Sequence, residues 1–572
     1  MGVGPAIFES AGQRSEHYIP GSYSRSNSVG GGSGGVSAGN GVILGKSTGG
    51  KPQTLLEFAT IAEAKDALVS GELLEAVSHA FTPGGDYTPQ KILAMRVNPG
   101  TQAGRTLKNG TAGILAIKAW DYGVHTNQLK VKILSGTNTY TKKVIANYKG
   151  DETVTDNIGL DSFTLQYTGA GSAATAAITA TGITVAVTGA DDGITVNFAD
   201  VETVEELVAR FNDNPSYVAI LQDNTPNALT ADLDAASGIS LSAAATFRSN
   251  LYALIQALEN NPYVGSVALV NGAERLIPDN DTGYVYFEGG TVGAYTVSEW
   301  NDALQALETE DVQIVSTPST DVAVTALIGN HCISMSNVTN RKERTALLGG
   351  PIGESVDEAI TKAKTFGSKY ISYCYPAIIA SNPITGDTET LAASYFACKL
   401  LGLESCVSVN EPLTWKTVKV LSFYKNLRTS EKEKLIKAGV LCGGTTDDNR
   451  LAVIRAMTTY QGSTLQDVER SMVREDLYMN RDLRQRYSQG VGKPSISKGG
   501  EEEETFKQAV AEWAGMGLVQ SNDSGEFYWG LKITVKGDKK YITFSRYLTA
   551  PQNFFFITAN NYVYGESTTV SV

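Results

Sequence analysis

The sequence predicts an α/β protein of several domains, with a β-rich insertion, a mixed α+β portion near its end and an extended arm at each terminus. Three observations carry this reading. The chain has 572 residues, too many for one core, and at roughly 150 residues per domain it divides into three or four. Between about 110 and 200 the hydrophobic period is two, with Gly, Asn and Asp between short apolar runs, the pattern of a β-sandwich. From about 250 onward helical and strand patterns alternate, which implies a largely parallel sheet covered on both faces.

The first 40 residues read as an arm. Tyr18-Ile19-Pro20-Gly21-Ser22-Tyr23 reads as a short extended segment, and Gly30-Gly31-Gly32-Ser33-Gly34-Gly35 as a flexible run. A strand at Val42–Leu44 leads to a helix with a capping box at Thr60 and Glu63. Its apolar face continues through Leu68, Leu73, Leu74, Val77 and Phe81, with a break near Gly71, before a buried strand at Lys91–Val97. Strands follow near 113–119, 129–134, 140–148, 162–167, 183–187 and 193–198. The Ala/Thr/Gly-rich portion 169–190 carries few large residues, so a peripheral, lightly packed module is expected there. A second capping box at Thr203 and Glu206 opens a helix through Leu207 and Phe211.

In the alternating region Leu251–Leu258 reads as helix and Val267–Val270 as strand. Thr296 and Glu299 cap a helix carrying Trp300, Leu304 and Leu307, and Val312–Val315 is the next strand. Helices near 321–328, 355–365 and 391–401 are separated by strands at 331–335 and near 369–379. Ser430–Glu433 caps a helix that stops before Gly439, and Asn449–Tyr460 reads as strand. A long helix over 465–488 is rich in Arg on one side (Arg474, Arg481, Arg484, Arg486). Glu501–Glu504 suit the positive N-terminal end of the next helix, whose inner face would carry Phe506, Val510 and Trp513. Strands at 527–535, 540–548 and 553–558 close the chain; the last is an apolar, β-prone edge hazard unless something pairs with it.

Composition narrows function. A net charge of −13 without a basic block argues against a nucleic-acid grip. No apolar stretch approaches the ~18 residues of a membrane span. Met1–Pro5 lacks the charged-then-apolar pattern of a secretory signal, and Ala6 stands where myristoylation wants Ser or Thr. The five cysteines are odd in number and form no C-x-x-C, which suits buried free thiols in a reducing cytoplasm. The four histidines (His17, His79, His125, His331) are scattered and outside any metal-ligand spacing.

Three near-motifs fail on context. Gly41 and Gly45 before Lys46-Ser47 enclose three residues where a P-loop needs four, and Gly49, Gly50 and Pro52 follow where a helix should open. Gly31, Ser33 and Gly35 match G-x-S-x-G but sit in linker, not between a strand and a helix. Asp279-Asn280-Asp281-Thr282-Gly283 lacks the Gly and Glu of a calcium loop and reads as a turn. No catalytic residue, cofactor or metal is expected.

With Tyr18–Tyr23, Gly41–Ser47, Thr54–Glu63, Met95–Asn98, Asp121–Asn127, Leu129–Val131, Phe287–Gly293, Ser298–Leu304, Asp311–Val315, Lys437–Val440 and Ile454–Thr459 in order along nearly its whole length, the sequence resembles the contractile tail sheath proteins of bacteriophages. Tyr18–Tyr23 is similar to the family's terminal arm, and Gly41–Ser47, Thr54–Glu63 and Met95–Asn98 to its first α/β segment. Asp121–Asn127 with Leu129–Val131 is similar to the start of its β-sandwich. Phe287–Gly293, Ser298–Leu304 and Asp311–Val315 are the most specific, a glycine pair, a capped helix and a strand as in the family's central domain. Lys437–Val440 and Ile454–Thr459 resemble its C-terminal domain.

The resemblance implies a structural protein: hexameric rings stacked around a tail tube, switching from a metastable extended state to a contracted one and driving the tube through the host envelope. The implied domains are an arm and linker (1–40), an α/β segment (41–104), an outward-facing β-sandwich (105–245), a subtilisin-like doubly wound domain (246–437), a tube-facing α+β domain (438–550) and a C-terminal arm (551–572). Tyr18, Ile19, Pro20, Tyr23 and Phe554, Phe555, Phe556, Ile557 are then the intersubunit arms, and Gly30, Gly31, Gly32, Gly34 and Gly35 a hinge. Arg481, Arg484, Glu501 and Glu502 are candidates to face the tube. Implied partners are further copies of the chain, the tube, the baseplate and the tail terminator, with no direct nucleic acid and no membrane insertion. The implied place is the virion tail, after assembly in the host cytoplasm. The sheath of a related bacteriocin or secretion machine, and an α/β hydrolase, stand as alternatives.

Overall fold

Val42 and Leu44 pack into one hydrophobic cluster and Ile43 into another, and all three are fully buried. A strand with both faces covered belongs inside a sheet sandwiched between helices, and the computed structural model shows this. It describes residues 6–10, 13–17, 39–223, 228–493, 499–559 and 561. The expected arm residues Tyr18, Ile19, Pro20 and Tyr23 and the glycine run 30–35 lie outside the described residues.

The strand Gly41–Gly45 sits near the middle of an eight-stranded sheet. In spatial order the sheet runs Leu451–Arg455, Val440–Thr445, Ile371–Tyr375, Thr345–Gly349, Ile314–Ser316, Gly41–Gly45, Ile92–Arg96 and Leu55–Phe58. The six inner strands are parallel and the two edges antiparallel. Its strands therefore come from residues 41–96 and 314–455, on either side of the β-rich region.

Helices Glu72–Ala80 and Ala393–Cys406 cover one face, and Val297–Leu307, Val322–Met335 and Val356–Phe366 the other. The first two approach closely: a Cβ on Gly402 would sit 1.9 Å from the Ala80 carbonyl oxygen, so only glycine fits. Beside this face lies a small antiparallel sheet of Ile378–Ser381, Thr388–Leu391 and Ser422–Phe423.

The β-rich region has two cores. Leu115, Ile117, Ile133 and Leu254 share the first, with helix Asn250–Glu259 packed in. Phe163, Phe211 and Phe247 anchor the second, where Phe163 and Phe247 stack at 5.0 Å and helix Val204–Asn212 contributes Leu207. The small-residue strands Ala173–Ile178 and Gly182–Thr188 contribute Ala174, Ala176, Ile178, Ile183 and Val185 to that core.

Several element expectations are corrected. Residues 331–335 are not a strand: helix Val322–Met335 runs straight through them, because an all-round apolar sequence fits a buried helix as well as a strand. Val264–Leu269 joins Ala112–Ala119 in an antiparallel sheet instead of the parallel one. The helix expected to begin at Ser430 is capped at Arg428, whose N–H donates to Glu431. The strand expected over 449–460 is confined to Leu451–Arg455. Residues 553–558 form no strand with any of the described residues.

At the C-terminal end, helices Arg470–Ser488 and Gly500–Gly515 pack with the hairpin Tyr528–Lys536 and Lys539–Leu548 around Tyr478, Met479, Phe506, Val510 and Trp513.

Candidate assembly surfaces

The Lys46-Ser47 turn lies at the end of a central strand, where ligands of open α/β sheets bind. Its backbone donors are all engaged. Ser47 N donates to Asn98 Oδ1 at 3.0 Å, Thr48 N to Ser70 O at 2.9 Å, Gly49 N to Leu68 O at 2.9 Å and Gly50 N to Asp121 Oδ1 at 2.9 Å. The Lys46 ammonium lies 3.9 Å from the Tyr295 ring centre and 3.6 Å from Glu72. A phosphate cradle needs those N–H groups pointing outward, and here they hold a turn together.

The other chemical candidates resolve the same way. Asp281 pairs with Arg105 and accepts from Ile133 N at 2.8 Å, while Asp279 accepts from Gly110 N at 2.6 Å. His331 sits inside a helix with Nε2 2.7 Å from Arg344 Nη1. Burial, and then the Arg344 charge, pull its pKa down to about 4, so it is a neutral acceptor at pH 7. Among the described residues no helix is long and apolar enough to cross a membrane.

The conspicuous surface is at the C-terminal end. Phe554, Phe555, Phe556 and Ile557 are 66%, 78%, 93% and 90% exposed. The segment leaves the body where Asn553 Nδ2 donates to Glu469 Oε2 at 3.3 Å and Phe554 lies 5.5 Å from the Arg455 guanidinium. Water-facing aromatic runs of this kind mark surfaces that another partner covers. At the other end Ala6–Ser10 and Gln13–His17 form a two-stranded antiparallel hairpin that pairs with no further strand among the described residues. Sequence reading placed an arm here but missed the hairpin, whose first strand is a short apolar run ending in Glu9-Ser10 and whose second, Gln13–His17, has no apolar residue to show a period of two.

The arginine-rich helix is engaged with its own chain. Arg481 is largely buried, with Nη2 donating to Glu343 O at 3.3 Å, and Arg484 pairs with the buried Glu343 carboxylate. Arg486 Nε reaches Asp482 Oδ2 at 3.0 Å, and that oxygen also accepts from Trp513 Nε1 at 2.8 Å. Glu502 pairs with Lys540, whereas the Glu501 side chain is exposed. Of the four residues expected to face a tube, Arg484 and Glu501 keep the most surface, and Arg481 is turned onto the central domain. Glu343 escaped sequence reading because its partners lie about 140 residues further on.

Residues 293–459 match the family model of the phage tail sheath protein central domain. The tail sheath protein of Bacillus phage SP01 is 25% identical over 552 residues, 91% of either chain. The putative tail sheath protein of Enterococcus phage phiEF24C is 26% identical over 447 residues, covering 73% of this chain and 75% of its own. In fold, the chain is similar to the crystal structure of the sheath tail protein Lin1278 from Listeria innocua, with a TM-score of 0.56, 11% identity, and coverage of 90% of this chain and 96% of that one.

Proposed function

We propose that this chain, a relative of the phage tail sheath proteins that carries their central domain at residues 293–459, is the repeating subunit of a contractile sheath around a phage tail tube. Its role is structural, not enzymatic: the curated relatives matching along its length are tail sheath proteins. Copies assemble as hexameric rings stacked along the tube, and one packing of the lattice gives way to another that is shorter and wider. Two packings of one sequence can differ by only a few kcal/mol, and many copies switching together turn that difference into work.

The observation that carries the reading is the Phe554–Ile557 run, apolar, exposed and in no strand pairing among the described residues. As a strand added to a neighbour's sheet it would gain backbone hydrogen bonds that depend little on side-chain identity. About five such bonds at ~1 kcal/mol each give of order 5 kcal/mol per joint before ordering costs. The N-terminal hairpin, which pairs with no further strand among the described residues, is the natural counterpart. On this reading Tyr18, Ile19, Pro20 and Tyr23 belong to the N-terminal arm and Gly30–Gly35 to its hinge, the β-rich insertion faces outward with a subtilisin-like central domain beneath it, and Arg484 with Glu501 is the narrowed candidate for tube contact. Tube, baseplate and terminator are the partners, the virion tail is the place, and assembly occurs in the host cytoplasm.

Electron microscopy of the purified recombinant chain at rising concentration tests the reading. Helical tubes with a six-fold cross-section are expected; a chain that stays monomeric at every concentration, with and without tube protein, would overturn it.

A further inference from the structure

His79 is fully buried, and neither of its ring nitrogens has a hydrogen-bond partner among the described residues. It lies one turn beyond Glu75 on helix Glu72–Ala80, so the two side chains share a helix face. The strand Thr388–Leu391 brings Glu389 up against them. One ligand atom from each of Glu75, His79 and Glu389 lies within 4.8 Å of the others. An unpartnered buried imidazole is costly, and two carboxylates sharing one site repel. A cation between the three groups relieves both problems.

Outer partners already hold the carboxylates. Tyr395 OH donates to Glu75 Oε2 at 2.7 Å, and Asn382 Nδ2 donates to Glu389 at 3.1 and 3.3 Å. Such second contacts orient metal ligands and tune their basicity. Lys399, the cation whose charge reaches His79, is committed to Thr82 O at 2.8 Å.

We propose that Glu75, His79 and Glu389 form a binding site for a divalent transition-metal ion of the zinc class. One imidazole with two carboxylates suits zinc or a first-row neighbour better than magnesium or calcium, which favour all-oxygen shells. Bonds of ~2.0–2.2 Å in a tetrahedron put ligand atoms roughly 3.4 Å apart, within the 4.8 Å limit of the observed group, so small side-chain rotations close the site. Water takes the fourth position. The ion would clamp the helix of the early α/β segment to the small sheet beside the central domain. It acts within one chain and does not rest on the sheath reading. The motif is invisible in sequence because Glu75 and His79 stand at an ordinary helical spacing, and Glu389 comes from a distant strand.

The test loads the full-length chain with one equivalent of Zn²⁺, desalts it and measures metal content and melting temperature. The expected result is about one zinc per chain and a higher melting temperature with zinc than after chelation. Glu389→Gln, at the partly exposed rim, should keep the fold and weaken zinc binding tenfold or more, as loss of even an outer partner commonly does 10–100-fold. His79→Leu should abolish zinc retention while filling the same apolar space. Negligible zinc in the wild-type chain would overturn the site, as would Glu389→Gln retaining zinc and the thermal response unchanged. Calcium binding as tightly as zinc would also overturn it, since imidazole would then not be a ligand.

Discussion

Arg470 grips Glu404 through two parallel hydrogen bonds, Nε to Oε1 at 2.8 Å and Nη2 to Oε2 at 2.6 Å, with both residues buried. The same guanidinium donates to Ser372 Oγ and Thr345 Oγ1, each at 3.0 Å. Arg474, one turn further along the same helix, adds Nε at 3.4 Å from Glu404 Oε1. A buried ionic joint therefore fastens the C-terminal helices to two strands of the central sheet and to the end of helix Ala393–Cys406.

Removing one side of a buried pair leaves an uncompensated charge, at a cost of about 3–5 kcal/mol. Glu404→Leu should destabilise the chain by that amount in chemical denaturation, and Glu404→Leu with Arg470→Met should recover only part of the loss, because Arg474 still lacks its carboxylate. A single substitution within about 0.5 kcal/mol of wild type would show that the joint does not hold the two parts together.

Arg484 and Arg481 converge on Glu343, so reversing both arginines should act on the fold of the subunit before it acts on any tube contact. Arg481→Glu with Arg484→Glu should cost about 1–3 kcal/mol, since like charges would then meet at a mostly buried carboxylate. Adding Glu343→Arg should restore part of it. Melting of the three proteins decides; an unshifted double variant would return these residues to the role of a free surface.

Glu475 is buried, and burial pushes its carboxyl up to about 8, against the Thr549 backbone and the Arg474 and Arg546 charges, which pull it down. The sign follows from the raised value. Below the ordinary carboxylate value near 4.5 both folded and unfolded states hold the proton, and as pH rises toward 8 the folded state is penalised progressively. A tenfold difference in proton affinity between the two states is worth about 1.4 kcal/mol. Glu475→Gln should therefore gain about 1–3 kcal/mol over wild type at pH 8, and the gain should vanish near pH 4. Unfolding curves across that range check it; parallel pH profiles for the two proteins would contradict it.

Much of the fold could be read from sequence where structure is local. The capping boxes at Thr203–Glu206 and Thr296–Glu299 open helices as expected, and Thr60 caps its helix through Glu63 N although the Glu63 carboxylate reaches back to Ala59 N instead of Thr60 N, because a cap is written in four or five consecutive residues. Gly71 breaks the first helical stretch into two. What could not be read is long-range. Nothing near Gly41–Gly45 says that it pairs with Ile314–Ser316, and nothing near Val264–Leu269 says that it pairs with Ala112–Ala119. Helix Val322–Met335 is apolar on all sides, so its periodicity could not separate helix from strand. The run at 554–557 was legible as a β-prone segment but not as exposed, since local sequence does not say what lies beside it in the fold. Free thiols were legible: Cys332, Cys374, Cys398 and Cys442 are buried and unbridged.

The central claim is that the Phe554–Ile557 segment joins one subunit to the next. Electron microscopy of the full chain beside a truncation lacking 551–572, both at the same concentration, tests it most directly. The full chain should form helical tubes, and the truncation should remain a soluble monomer with an unchanged melting temperature. Tubes of normal diameter and length from the truncated protein would contradict the claim.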